Sequence, residues 1–309
     1  MLTVHHLRDL TLNRPSHPDR PAHVSAASGL VCVGDTAYVV ADDELHLGVF
    51  SLEGSESGRL LPLFPGELPR EHQQRKRQKP DLEALTLLPP AADFPFGALL
   101  ALGSASTTNR RRGAMVPLNA DGLPESAAHI LPLGAWYDFL ETRIGRLNLE
   151  GAYVDGAELV LLQRANKGNR LNAIIRLALP EFIAPGRPAD FLPTQLNIIE
   201  VELGDIDNVP LGFTDGMALP QGGFVFSAVA EDNQDSYHDG ACLGTVIGVM
   251  SAKGKLIYRE QLAVPWKVEG ISASVREGGI DLLMVTDADD ETVPAALLAA
   301  RIEDIGFLP

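Results

Sequence analysis

Residues 80–88 read Pro80-Asp81-Leu82-Glu83-Ala84-Leu85-Thr86-Leu87-Leu88: a carboxylate, a small residue, then an apolar run stopped by Pro89-Pro90. The pattern returns at Asn148-Leu149-Glu150-Gly151-Ala152, at Phe213-Thr214-Asp215-Gly216-Met217 and at Lys267-Val268-Glu269-Gly270-Ile271. Ala27-Ser28-Gly29-Leu30 is a degenerate copy, with serine in place of the acid. The marked positions 28, 83, 150, 215 and 269 lie 55, 67, 65 and 54 residues apart, and 68 more lead from 269 round to 28. Five near-even intervals partition the whole chain, which is the mark of a repeat architecture.

Each unit repeats one grammar. A short apolar strand follows the motif, then a turn signal such as Gly34-Asp35, Asp155-Gly156 or Gln221-Gly222-Gly223. A second, strongly apolar strand comes next (36–41, 98–103, 158–163, 223–230, 281–287), and a third follows it. Four units show a fourth strand; the fifth ends before its own, and Leu2–Leu12 is strand-like with no other home. Short strands, regular turns and four strands per unit define an all-β fold, a β-propeller, rather than a sandwich. The repeat gives five blades over a single domain, 1–309, with the N-terminal strand (1–12) closing the ring; six blades stay open if one long unit hides a degenerate copy. One helix is expected, because Trp136, Leu140, Ile144 and Leu147 form a stripe at helical spacing.

With 309 residues, 45% of them hydrophobic, the chain has ample material for a core and is not disordered. Its formal net charge of −16 argues against nucleic-acid and anionic-membrane partners. No apolar stretch approaches the ~20 residues needed to cross a bilayer, and residues 1–20 lack a signal-peptide pattern. Cys32 and Cys242 each sit in an apolar segment and read as reduced thiols, so the expected compartment is the cytoplasm.

In a four-stranded blade the start of the inner strand, the loop between strands two and three, and the link to the next blade share one face. Ser28, Glu83, Glu150, Asp215 and Glu269 therefore ring the axis at one mouth. Four carboxylates around a narrow channel need compensation. One solution is a hard cation held by Glu83, Glu150, Asp215 and Glu269, with calcium best suited to an irregular oxygen ring. The other is pairing with Lys79, Arg146 and Lys267, which lie close to the motif acids in sequence. The loops between strands two and three divide by charge. Asp42-Asp43-Glu44, the acids between 231 and 239, and Asp287–Glu291 make one side acidic. Arg110–Arg112, Arg164, Lys167 and Arg170 make the other basic, joined by the Arg70–Lys79 link. Arg110, Arg164 and Lys167 are the candidate anion-binding residues, for a small phosphate or carboxylate ligand. Trp136, Tyr137 and Phe139 read as the packing face of a helix capping the ring. The chain has no G-x-S-x-G, H-E-x-x-H, C-x-x-C or Walker A pattern, and no catalytic residue is assigned.

The segments Pro80–Leu85, Asn148–Ala152 and Leu161-Leu162-Gln163-Arg164-Ala165-Asn166 resemble the phytase-like and lactonase-like calcium propellers, and look closest to a bacterial branch of that group. The resemblance implies a propeller with an axial calcium facing glutamates that open the inner strands. It departs at Ser28, and the asparagine ligands typical of lactonases are not evident at motif positions. The functional expectation is a calcium-dependent hydrolase of an anionic small molecule, a phosphate ester or a lactone. The alternative is a non-catalytic binding propeller, with a structural metal or none.

Overall fold

The computed structural model describes residues 1–165, 170–182, 193, 196–232, 241–303 and 306. They form five antiparallel sheets in a ring, so the propeller has five blades. Blade 1 comprises Ala27–Val33, Thr36–Ala41, His46–Ser51 and Arg59–Pro62 from axis to rim; blade 2 comprises Leu82–Leu88, Ala98–Gly103, Arg112–Pro117 and His129–Pro132. Blade 3 is built from Leu149–Asp155, Glu158–Gln163, Asn172–Ala178 and Leu196–Val201. Blade 4 uses Val209–Ala218, Phe224–Asp232, Ala241–Met250 and Leu256–Gln261, with an added two-residue strand, Asp205–Ile206, that the sequence pattern does not foretell. Blade 5 takes Val268–Arg276, Gly279–Thr286 and Ala296–Glu303 from the C-terminal region and its rim strand, Val4–Asp9, from the N-terminus. The expected closure is therefore present, and it joins the two ends of the chain in one sheet.

The apolar pattern explains the layering. Second strands are covered on both faces, and Ala98–Gly103 is buried at every position. Rim strands are wetter, as in Leu196–Val201, where no residue is fully buried. Five apolar clusters fill the five wedges between neighbouring blades; Leu47, Leu85 and Val116, for example, join blades 1 and 2. The helix Gly134–Ile144 buries Trp136, Tyr137, Leu140 and Ile144 in the wedge between blades 2 and 3, with Trp136 against Phe182. This confirms the expected capping helix. A second helix, His72–Gln78, occupies the basic link before blade 2 and is capped by Glu71. Hairpin turns between inner and second strands need left-handed backbone, supplied by Gly34 (φ 55°) and Gly156 (φ 60°).

One irregularity sets up everything at the axis. Every inner strand carries a β-bulge at the motif, skipping Ser28, Glu83, Glu150, Thr214 and Glu269 in the pairing with its second strand. A bulge turns one side chain out of the alternation. The repeat thus encodes a re-aimed residue, and in blade 4 that residue is Thr214, with Asp215 one position further along the strand.

Candidate axial site

The bulges and neighbouring loops bring eight carboxylates, Asp42, Asp81, Glu83, Glu150, Glu231, Glu269, Asp287 and Asp289, together with Lys79, Arg110, Arg164 and Lys267. If all were ionised the formal charge would be −4. Half of these groups are buried, so their pairing decides what the mouth can do.

Two cations serve blades 3 to 5. The Arg164 guanidinium lies 3.1 Å from Glu150 Oε2, 2.8 Å from Glu231 Oε2 and 3.9 Å from Glu269 Oε1. Lys267 Nζ reaches Asp289 at 2.7 Å, Glu231 at 3.0 Å, Glu269 at 3.3 Å and Asp287 at 3.5 Å. Burial pushes Glu231 up, but Arg164 and Lys267 more than offset this and hold its carboxyl below the usual range. Burial raises Glu150 to about 7 against the pull of Arg164, and it raises Glu269 against Lys267 and Arg164.

The other two cations serve blades 1 and 2. Lys79 Nζ bonds Asp42 Oδ2 and lies 2.9 Å from Asp81 Oδ1; Arg110 Nη1 lies 2.7 Å from Asp81 Oδ2 and 2.9 Å from the Ser106 hydroxyl. Asp81 adopts a left-handed backbone (φ 55°), which an aspartate tolerates better than most residues, and also accepts the Ser104 hydroxyl. Burial opposes the charge of Lys79, but Asp42, Asp81 and Glu83 outweigh it and raise its pKa.

Glu83 stands apart. It is 9% exposed, and among the described residues it makes no hydrogen bond or ion pair. Oxygens of Asp42, Asp81 and Glu83 lie within 4.8 Å of one another. Burial, reinforced by the charges of Asp81, Glu150, Asp42 and Glu269, pushes its carboxyl well above the usual range. Beside this trio a cavity of about 370 Å³ opens between blades 1 and 5, lined by Ser25, Asp42, His72, Arg75, Lys79 and Asp289 among others.

Of the candidate metal ligands, Glu83, Glu150 and Glu269 share this mouth as bulge residues. Asp215 instead lies on the axis, with backbone amides as its partners. Of the candidate anion-binding residues, Arg110 and Arg164 reach the mouth and are engaged by carboxylates; Lys167 lies outside the described residues, as do Asp235 and Asp239. Lys79 and Lys267 pair with acids at the mouth. Glu150 is served by Arg164 and by Asn148, while Arg146 Nη2 donates to the Ser106 carbonyl at 3.4 Å. Asp42 and Asp81 were visible in sequence as an acidic loop and as part of the motif, but only the fold sets them against Glu83. Cys32 and Cys242 are half-buried free thiols, and among the described residues no helix is long and apolar enough to cross a membrane.

Fold and site define a five-bladed propeller with a buried, carboxylate-rich axial mouth. Residues 23–302 match the family of unknown function DUF6929, and the chain belongs to that family. No curated protein matches it. Among solved structures it is similar to glutaminyl cyclase from Myxococcus xanthus, at 10% identity and a TM-score of 0.47, covering 98% of both chains. A luciferin-regenerating enzyme matches at 10% identity and a TM-score of 0.44, over 90% of this chain and 92% of that one. A gluconolactonase from Xanthomonas campestris matches at 10% identity and a TM-score of 0.39, over 90% and 86%. At such identities no activity passes from them to this chain.

Proposed function

We propose that this propeller binds a hard divalent cation, calcium in preference to magnesium, through Asp42, Asp81 and Glu83 at the axial mouth. The observation that carries this is Glu83: a buried carboxylate with no partner among the described residues, beside two further acids. Two oxygens on one calcium are separated by at most about 5 Å, so a trio within 4.8 Å suits it. Lys79 now bonds two of the three acids and must swing aside for the ion, and the adjoining cavity, which it already lines, has room to receive it. Glu150 and Glu269, tied to Arg164, would stay in support rather than bind directly.

The finer reading is hydrolysis of an anionic small molecule, a phosphate ester or a lactone, entering through the cavity. A bound cation would polarise the scissile group and acidify a water. Arg110, at the edge of the trio, would orient the anion. A second reading, a non-catalytic binding propeller, is favoured by one observation: Arg110, Arg164 and Lys267 are each engaged by carboxylates.

Calorimetry on EDTA-treated protein tests the cation. Calcium at ~100 times its dissociation constant should add about 2.7 kcal/mol of stability, and sodium at matched ionic strength should not. Glu83→Gln should weaken calcium binding without unfolding the chain. A melting curve indifferent to calcium, with no binding heat, would exclude the site. Nitrophenyl phosphate, nitrophenyl acetate and lactone turnover with and without calcium then separates hydrolase from binding module.

A further inference from the structure

The axis below the mouth is occupied by one side chain. Asp215 is fully buried; its Oδ1 accepts the Gly216 amide at 2.8 Å, and its Oδ2 accepts the Ile271 amide at 2.9 Å. The Leu30 amide also donates to this carboxylate. Those three amides belong to the inner strands of blades 4, 5 and 1, which flank the seam where the chain's two ends meet in blade 5. Burial pushes the carboxyl well above the usual range, and the three N–H donors pull against it.

The matching position in the other blades, one residue after each bulge, holds Gly29, Ala84, Gly151 and Gly270. None carries more than a methyl group, and the structure shows why three of them are glycine. A Cβ on Gly151 would lie 2.9 Å from Asp215 Cα and 3.0 Å from its Oδ1. On Gly270 it would meet the backbone of Gly29 and Leu30 at 2.9 Å, and on Gly29 it would meet Leu85 N at 3.0 Å. The inner strands approach so closely that one blade alone can place a large side chain on the axis.

We propose that Asp215 is the axial keystone of this propeller: it closes the channel beneath the mouth and ties blades 1 and 5 to blade 4. Two consequences follow for any ligand site above it. The mouth is blind, entered and left from one face. The bulge residues Ser28 and Glu269, each two positions before an amide that Asp215 ties (Leu30 and Ile271), are held in place by it, which makes Asp215 a positioning residue. None of this depends on a cation.

Hydrogen exchange resolved by residue tests the tie. In the intact protein the Leu30 and Ile271 amides should be among the slowest. In Asp215→Ala they should exchange at least about 10-fold faster relative to Leu85 in blade 2, whose amide Asp215 does not hold. Asp215→Asn keeps one carbonyl acceptor and turns an NH2 toward the remaining donors, so it should fall between; it carries the test if the alanine variant does not fold. Uniform acceleration of all core amides, or none at Leu30 and Ile271, overturns the proposal. Steric coupling gives a second readout. Gly151→Ala should lower the melting temperature when Asp215 is present and much less in an Asp215→Gly background. Additive losses would show that the two positions do not share the axis.

Discussion

Arg164 separates an anion clamp from an internal counter-ion. Its side chain is 12% exposed and faces Glu150, Glu231 and Glu269, whose side chains are no more open to solvent. Arg164→Met keeps much of the stem, which packs over Gly212, and removes the charge. Deleting one partner from a buried ion network costs about 4 kcal/mol, because the orphaned carboxylates stay desolvated. For a chain of this length that corresponds to a fall of about 6 °C in melting temperature. The cost must depend on pH. At pH 8, above the value of about 7 that Glu150 reaches, the orphaned acids cost the full loss. Near pH 5 they take up protons in the variant, and the loss should shrink by at least half. Paired thermal melts at the two pH values, in EDTA and without added anions, read the difference. A small, pH-independent loss would refute the reasoning and return Arg164 to the role of an anion ligand held in reserve.

Burial raises Glu150 to about 7, so folding takes up a proton there; that stability is present below pH 4.5 and is lost as pH rises through 7. The cation-free protein should gain about 1 kcal/mol per pH unit on going down from 7, before the lowered carboxylates Asp42, Glu44 and Glu231 reverse the trend near pH 4. Melts that stay flat between pH 8 and pH 6 would contradict it. Deleting residues 1–12 removes the rim strand Val4–Asp9 and uncovers Ala296–Glu303, whose residues are mostly buried. The truncated chain should melt lower and aggregate through the open edge, as light scattering would show; an unchanged melting temperature would mean the ring closes without it.

Five blades, the closing strand and the capping helix were legible because each follows from a periodicity that packing must obey. The motif acids were legible as a ring for the same reason. The placement of Asp215 was not, because the motif in blade 4 reads Thr214-Asp215-Gly216 where blade 3 reads Glu150-Gly151-Ala152, and a one-residue offset is invisible without the bulge. Nor could sequence spacing show that Arg164 turns inward. Its position beside a strand end suits a ligand clamp as well as a counter-ion, and the choice is made by Glu231 and Glu269, which lie 67 and 105 residues away in the chain.

A symmetric repeat becomes a site by unequal pairing. All five bulges re-aim one residue, yet each does different work. Thr214 turns its hydroxyl to the Val268 carbonyl and the Ser227 hydroxyl, at 2.8 Å each, and Ser28 bonds the Ala26 carbonyl, so both serve the backbone. Glu150 and Glu269 fall within reach of Arg164, contributed by blade 3, and Glu269 gains Lys267 from the link into blade 5. Lys79, in the link before blade 2, goes to Asp42 and Asp81 instead of to Glu83, four residues on. What remains is one buried glutamate whose charge the chain's own cations do not meet directly. Two chemical answers are open to such a group, a proton or a cation, and they exchange with each other. The cation-free protein should therefore release protons as calcium binds, with the number released falling toward zero in Glu83→Gln. Calorimetry in buffers of different ionisation enthalpy counts them directly. Calcium binding without proton release at pH 6.5 would mean that Glu83 was already ionised, and that burial at this mouth is weaker than the geometry implies.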